Sequence, residues 1–212
     1  MSLTGRARSK GIWRASRGML LAPALFAPLA LGATAGNDAG AQQRAAAEPP
    51  ARLVAHYQVP AVELTREDGV VVKFPAEVND GRPVVLAFIY TSCTSICPLT
   101  SQTLEGVQRR LGAERDRVHL VSVSIDPDED TPARLRAYAQ TYHAGPEWRH
   151  YTGTRTASES VQRAFGVYRG EKMSHPAAIF IRAARGGPWI RMDGFPTADQ
   201  VFAELPLAHA AR

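Results

Sequence analysis

The chain has two cysteines, Cys93 and Cys97, in the segment Thr91-Ser92-Cys93-Thr94-Ser95-Ile96-Cys97-Pro98. An apolar run precedes them and a helical pattern follows. Thiols so placed have several uses. A structural disulfide is one, but closing a loop of about five residues removes only roughly 2 kcal/mol of unfolded-state entropy. A domain of roughly 150 residues buries enough core not to need so small a staple. Thiol–disulfide exchange is another, because free amides at a helix N-terminus favour thiolate over thiol. The usual redox motif, however, separates its cysteines by two residues, and here there are three. The wider spacing suits two sulfurs gripping one metal ion. Thr94-Ser95-Ile96-Cys97 also satisfies the Thr-x-x-Cys spacing of a peroxiredoxin-type peroxidase, although Tyr90 stands where that pattern has proline.

Two thiolates are an incomplete site for a soft metal, so a third ligand is required. Six histidines are available. His56 follows an Ala/Gly/Gln/Pro-rich stretch and His209 lies in the C-terminal tail. His119 begins a strand pattern, His143 falls in a last helical turn, and His150 precedes a turn. His175 differs: it ends the loop Gly170–Ser174 and introduces an apolar strand, Ala177–Arg182. The acidic cluster Asp126, Asp128, Glu129 and Asp130 lacks the glycine and terminal glutamate of a calcium hand. Asp126-Pro127 reads as the turn leaving a strand, Asp130 as a complement to the next helix's positive end. Asp126 could also support a metal ligand from behind.

The elements that must position these groups alternate strand and helix. Val70–Phe74 and Val84–Tyr90 read as strands, the second apolar throughout as in a strand covered on both faces. Pro98–Leu111 reads as a helix and Val118–Ile125 as a strand of alternating apolar and polar residues. Thr131-Pro132 suits the cap and first position of a helix running to about His143. Ala157–Phe165 is a further helix ended by Gly166. Ala177–Arg182 and Trp189–Met192 form a hairpin through Gly186-Gly187, and Thr197–Leu205 closes the chain as a helix. This order predicts an α/β, thioredoxin-like sandwich, a central mixed sheet flanked by helices. In that arrangement the His175 loop faces the cysteine segment.

Composition narrows the class. Of 212 residues, 45% are hydrophobic and 21% charged, as in an ordinary globular domain. The formal charge of +5 belongs to residues 1–35, which hold Arg6, Arg8, Lys10, Arg14 and Arg17 and no acid. The remainder is balanced, which removes the support for nucleic-acid binding. The basic stretch, the apolar segment Met19–Ala33 and Ala33-Thr34-Ala35 predict a signal peptide or N-terminal membrane anchor over 1–35. The expected organisation continues with a flexible linker over 36–52, a globular domain over 53–207 and a tail over 208–212. The domain is expected outside the cytoplasm, in the periplasm, either free or anchored to the inner membrane.

Cys93-Thr94-Ser95-Ile96-Cys97-Pro98 after an apolar strand resembles the SCO/SenC family of thioredoxin-like copper proteins. Ser122–Pro132 (SVSIDPDEDTP) is similar to its second signature, and the likeness continues through Trp148–Gly153, His175 and Asp193-Gly194. It spans roughly Tyr57 to Leu205. The resemblance implies one copper ion per chain held by Cys93, Cys97 and His175, and a metallochaperone role in assembling the copper centre of cytochrome c oxidase or a related exported cuproenzyme. Because thiols outside the cytoplasm drift toward the disulfide, a periplasmic thiol reductase is a further expected partner. Pro176 after the histidine and Thr-Ser-Ile between the cysteines depart from the family's more usual residues. Copper suits this donor set: Cu(I) accepts two thiolates and an imidazole, whereas structural zinc wants a fourth ligand. A periplasmic thiol–disulfide reductase using the same pair is the alternative from a different class.

Overall fold

A computed structural model of the chain describes residues 50–207. The leader over 1–35, nearly all of the linker, His209 and the tail lie outside the described residues. Eight strands form one mixed sheet: β1 (Arg52–Ala55), β2 (Glu63–Arg66), β3 (Val71–Lys73), β4 (Val84–Ile89), β5 (His119–Ser124), β6 (Trp148–Thr152), β7 (Ala178–Arg182) and β8 (Trp189–Asp193). Their spatial order is β1-β8-β7-β4-β5-β6-β2-β3. The helices are α1 (Phe74–Val78), α2 (Ile96–Leu111), α3 (Pro132–Thr141), α4 (Arg155–Ala164) and α5 (Ala198–Ala203). No helix among the described residues is long and apolar enough to cross a membrane.

Strands β4, β5 and β6 run parallel, joined by α2 and α3, and β7 pairs antiparallel with β4. All six residues of β4 are buried because both faces are covered. Leu86 and Phe88 point into a core with Tyr151, Phe165, Phe180 and Trp189. Val85 and Ala87 point the other way, among Leu104, Val107, Ile179 and Val201 from α2, β7 and α5. The alternating look of β5 does not give it a wet face. Ser122 accepts a hydrogen bond from Trp148 Nε1 at 2.9 Å, and Ser124 donates to Asp130 at 2.6 Å. Both serines are buried and satisfied, as burial of polar groups demands.

Capping follows the sequence closely. Thr131, Thr154 and Thr197 each accept a backbone N–H from the first turn of α3, α4 and α5, and Thr197 completes a capping box with Gln200. Gly166 takes φ +67° just beyond α4, a left-handed conformation that a side chain would strain. Three strands escape the pattern. Arg52, expected to end the linker, opens β1 and pairs with Met192 of β8. β2 is the second, pairing at the far edge of the sheet with β3, which lies within the expected strand Val70–Phe74. His150 is in β6 rather than before a turn, and it is fully buried. The helix expected to reach His143 stops at Thr141, and His143 adopts φ 52° with its ring on Glu105.

Candidate metal centre

The cysteine loop leaves the C-terminal end of β4, where the central parallel strands of an α/β sheet open onto a crevice. Ser95 stands at the N-cap of α2 but its side chain makes no capping bond. The orphan amide of Cys97 in the first turn donates instead to Cys93 Sγ at 3.3 Å. Cys93 thus serves as the acceptor that the helix end requires. Both thiols are free, and both lie in an apolar cluster with Ile89, Tyr90, Leu135 and Tyr138. Burial opposes ionisation of Cys93. Hydrogen bonds from the Cys97 thiol, the Cys97 and Ser95 amides and the Tyr90 hydroxyl outweigh it and bring the thiol down to about 7. Cys97 goes the other way, pushed up by deeper burial and by the neighbouring Cys93 sulfur. A peroxidase built on the Thr-x-x-Cys spacing would need Cys97 as its nucleophile, and the high thiol pKa argues against that.

The antiparallel pairing of β7 with β4 (Ala87 opposite Ile179) puts the segment before β7 beside the end of β4. His175 therefore enters next to the cysteine loop, as the sequence predicts. Its ring packs edge-on to Phe88, centroids 6.2 Å apart. Burial holds the imidazole neutral, at about 4, with the Phe88 carbonyl recovering part of the shift. Nδ1 is buried and makes no hydrogen bond of good geometry. A neutral imidazole with an unpartnered nitrogen fits a metal ligand. The three groups are not closed into a cage: no three His, Cys, Asp or Glu side chains among the described residues lie close enough together to hold a metal ion.

Two further residues fasten the His175 loop to the cysteine side. Lys172 forms an ion pair with Asp126 and stands over the Tyr90 ring, 5.6 Å from its centroid. The Tyr90 hydroxyl donates to Met173 Sδ at 3.3 Å. Asp126 thus acts on the loop that carries His175 through Lys172. A polar cleft of about 230 Å³ opens on this side, lined in part by Asp126, Arg155, Glu159, Tyr168, Lys172 and His175. Asp130, expected to complement the end of α3, instead turns inward. It is fully buried and accepts from the Thr91 amide at 3.1 Å, the Thr91 hydroxyl and the Ser124 hydroxyl. Burial raises its pKa although these donors oppose the shift. It ties the start of the cysteine loop to the end of β5.

The remaining histidines lie elsewhere. His56 is exposed beyond β1, His119 at the start of β5 contacts Arg82, and His150 stacks on Trp148 with centroids 5.2 Å apart. The sequence does not show that Tyr90 and Asp130 tie these loops together, and it gives Met173 no role. The signals are adjacency alone: Tyr90 ends the apolar run and Met173 stands two residues before His175.

Comparison with known proteins places the chain. It is 32% identical over 110 residues to a putative copper-binding protein of Stutzerimonas stutzeri, covering 51% of this chain and 52% of that one. The chain spans about half the length of the curated relatives it matches. Among solved structures, copper-bound ScoI of Bradyrhizobium japonicum superposes with a TM-score of 0.57 at 24% identity, covering 67% of this chain and 93% of that one. BsSco, described as a member of the Sco family of cytochrome c oxidase assembly proteins, gives 0.61 at 22% identity, covering 78% and 98%. These likenesses fix the fold as thioredoxin-like. The SCO1/SenC family model matches residues 54–206, from β1 to the end of the folded domain, and the chain belongs to that family.

Proposed function

We propose that the chain binds one copper ion through Cys93, Cys97 and His175 and delivers it, as cargo, to the copper centre of cytochrome c oxidase or a related exported cuproenzyme. The observation that carries the reading is the donor set. A thiol already near 7 at a helix N-terminus adjoins a second thiol, and the neighbouring loop offers a neutral imidazole with an unpartnered buried nitrogen. Three soft or borderline donors suit Cu(I), and the same groups can hold Cu(II). Loading requires the His175 loop and the cysteine loop to approach. The Lys172–Asp126 and Met173–Tyr90 contacts keep the two within reach. Family membership supports the copper and oxidase assignment.

In the proposed exported setting the pair drifts toward a disulfide, which holds no metal, so a thiol reductase is an expected partner. Copper titration of the chain with the pair reduced and with it oxidised tests this. The reduced form should take up one equivalent and the oxidised form none; equal uptake contradicts the ligand set. A thiol–disulfide reductase is the second reading. It is favoured by the unequal thiols, Cys93 as attacking and Cys97 as resolving sulfur. Catalytic turnover of a disulfide substrate by protein that takes up no copper would select it.

A further inference from the structure

Among the large apolar side chains of the described domain, Met173 is 76% exposed, more than Val71, Leu53 or Phe195. A thioether in water at a loop position gains nothing from packing. Of the other methionines, Met1 and Met19 precede the described residues and Met192 is buried in β8. What Met173 does have is a position. The Tyr90 hydroxyl donates to its sulfur at 3.3 Å, and Tyr90 packs in the apolar cluster that holds Cys93 and Cys97. Two residues further along stands His175 with its unpartnered Nδ1. The thioether is thus tied to the side chains around both thiols and to the loop that carries the imidazole. Its sulfur has two lone pairs, and one hydroxyl proton occupies only one of them. Lys172, fastened by Asp126, keeps the adjoining residue in place.

We propose that Met173 Sδ is a further ligand for Cu(I) at this centre, the solvent-facing sulfur through which the ion enters and leaves. The inference rests on the copper reading above and extends it. A thioether is neutral at every working pH, soft, and selective for Cu(I) over Cu(II) or zinc. It adds a sulfur that favours the reduced ion without adding charge. Its exposure makes it the donor that an incoming carrier or outgoing client meets first.

The test uses the reduced, Cu(I)-loaded chain labelled with selenomethionine. Absorption at the selenium edge should show a copper neighbour, and Met173→Leu should abolish it. In competition with a Cu(I) chelator, Met173→Leu should weaken binding at least about tenfold, the lower end of the effect even of groups behind the ligands. Cu(II) affinity should stay within about twofold, less than 0.5 kcal/mol. Met173 is too exposed for the change to threaten folding. An absent selenium–copper neighbour with unchanged Cu(I) affinity, in protein whose copper is still lost on Cys93→Ser, overturns the Met173 assignment and leaves the copper reading standing. Copper binding indifferent to Cys93→Ser overturns both.

Discussion

Cys93 and Cys97 share one loop and one apolar cluster, yet their thiols ionise in opposite directions. The difference lies in where the helix amides point. Cys93 receives the Cys97 amide and the Tyr90 hydroxyl, while Cys97 is buried with a neighbouring sulfur that disfavours its charge. Alkylation of the reduced, metal-free chain should therefore rise with a midpoint near pH 7, and peptide mapping should find the label on Cys93. First modification at Cys97 would show that the amides do not act as described. At the same scale, His150 is fully buried in β6 with neither ring nitrogen well bonded, and burial lowers its pKa to about 3. The unfolded chain takes up this proton below about pH 6.5, whereas the folded chain resists it until about pH 3. Stability from this group is present at neutral pH and lost as pH falls through that window. His150→Phe, which keeps an aromatic ring against Trp148, should reduce the loss between pH 7 and pH 4.5 by on the order of 2 kcal/mol in urea titrations. An unchanged pH dependence would mean the site admits water or a partner. Cys93, Cys97 and His175 are legible in the sequence as candidate donors because few residue types suit a soft metal. Tyr90, Met173 and Asp130 are not, since their roles depend on which loop the fold lays beside them.

At the scale of elements, strands β4, β7 and β8 and the four longer-patterned helices are readable because each carries a periodic apolar face or a capping threonine. The strands that escape notice do so for identifiable reasons. β1 is an exposed edge strand whose Leu53 and Val54 face solvent, so it has no buried face to announce. β6, Trp-Arg-His-Tyr-Thr, is chemically polar, and only its neighbours bury it. The helix pair that shields the far face of the sheet depends on a glycine. A Cβ at Gly106 of α2 would stand 2.7 Å from Ala198 Cβ at the start of α5. Gly106→Ala should cost about 1–3 kcal/mol by overpacking this contact. The double variant with Ala198→Gly should recover most of that loss in denaturant unfolding, as expected for residues in direct contact. Additive losses would place the strain elsewhere.

Across the whole molecule, the parallel strands deliver the thiols to one end of the sheet and the antiparallel β7 returns His175 to the same end. Asp130 fixes the start of the cysteine loop to β5, and Asp126 and Tyr90 hold the His175 loop by its side chains. These contacts anchor both loops to the sheet, and the proposed donors Cys93, Cys97 and His175 reach its one end from two separate loops. A thiol reductase would need only the cysteines; a copper carrier needs His175 as well. The decisive measurement is competition with a Cu(I) chelator and with a Cu(II) chelator on wild type and His175→Ala under identical reduction. Copper affinity should fall at least about tenfold, some 1.4 kcal/mol, with cysteine reactivity toward thiol reagents unchanged. Unchanged affinity for both ions would remove His175 from the centre and contradict the account.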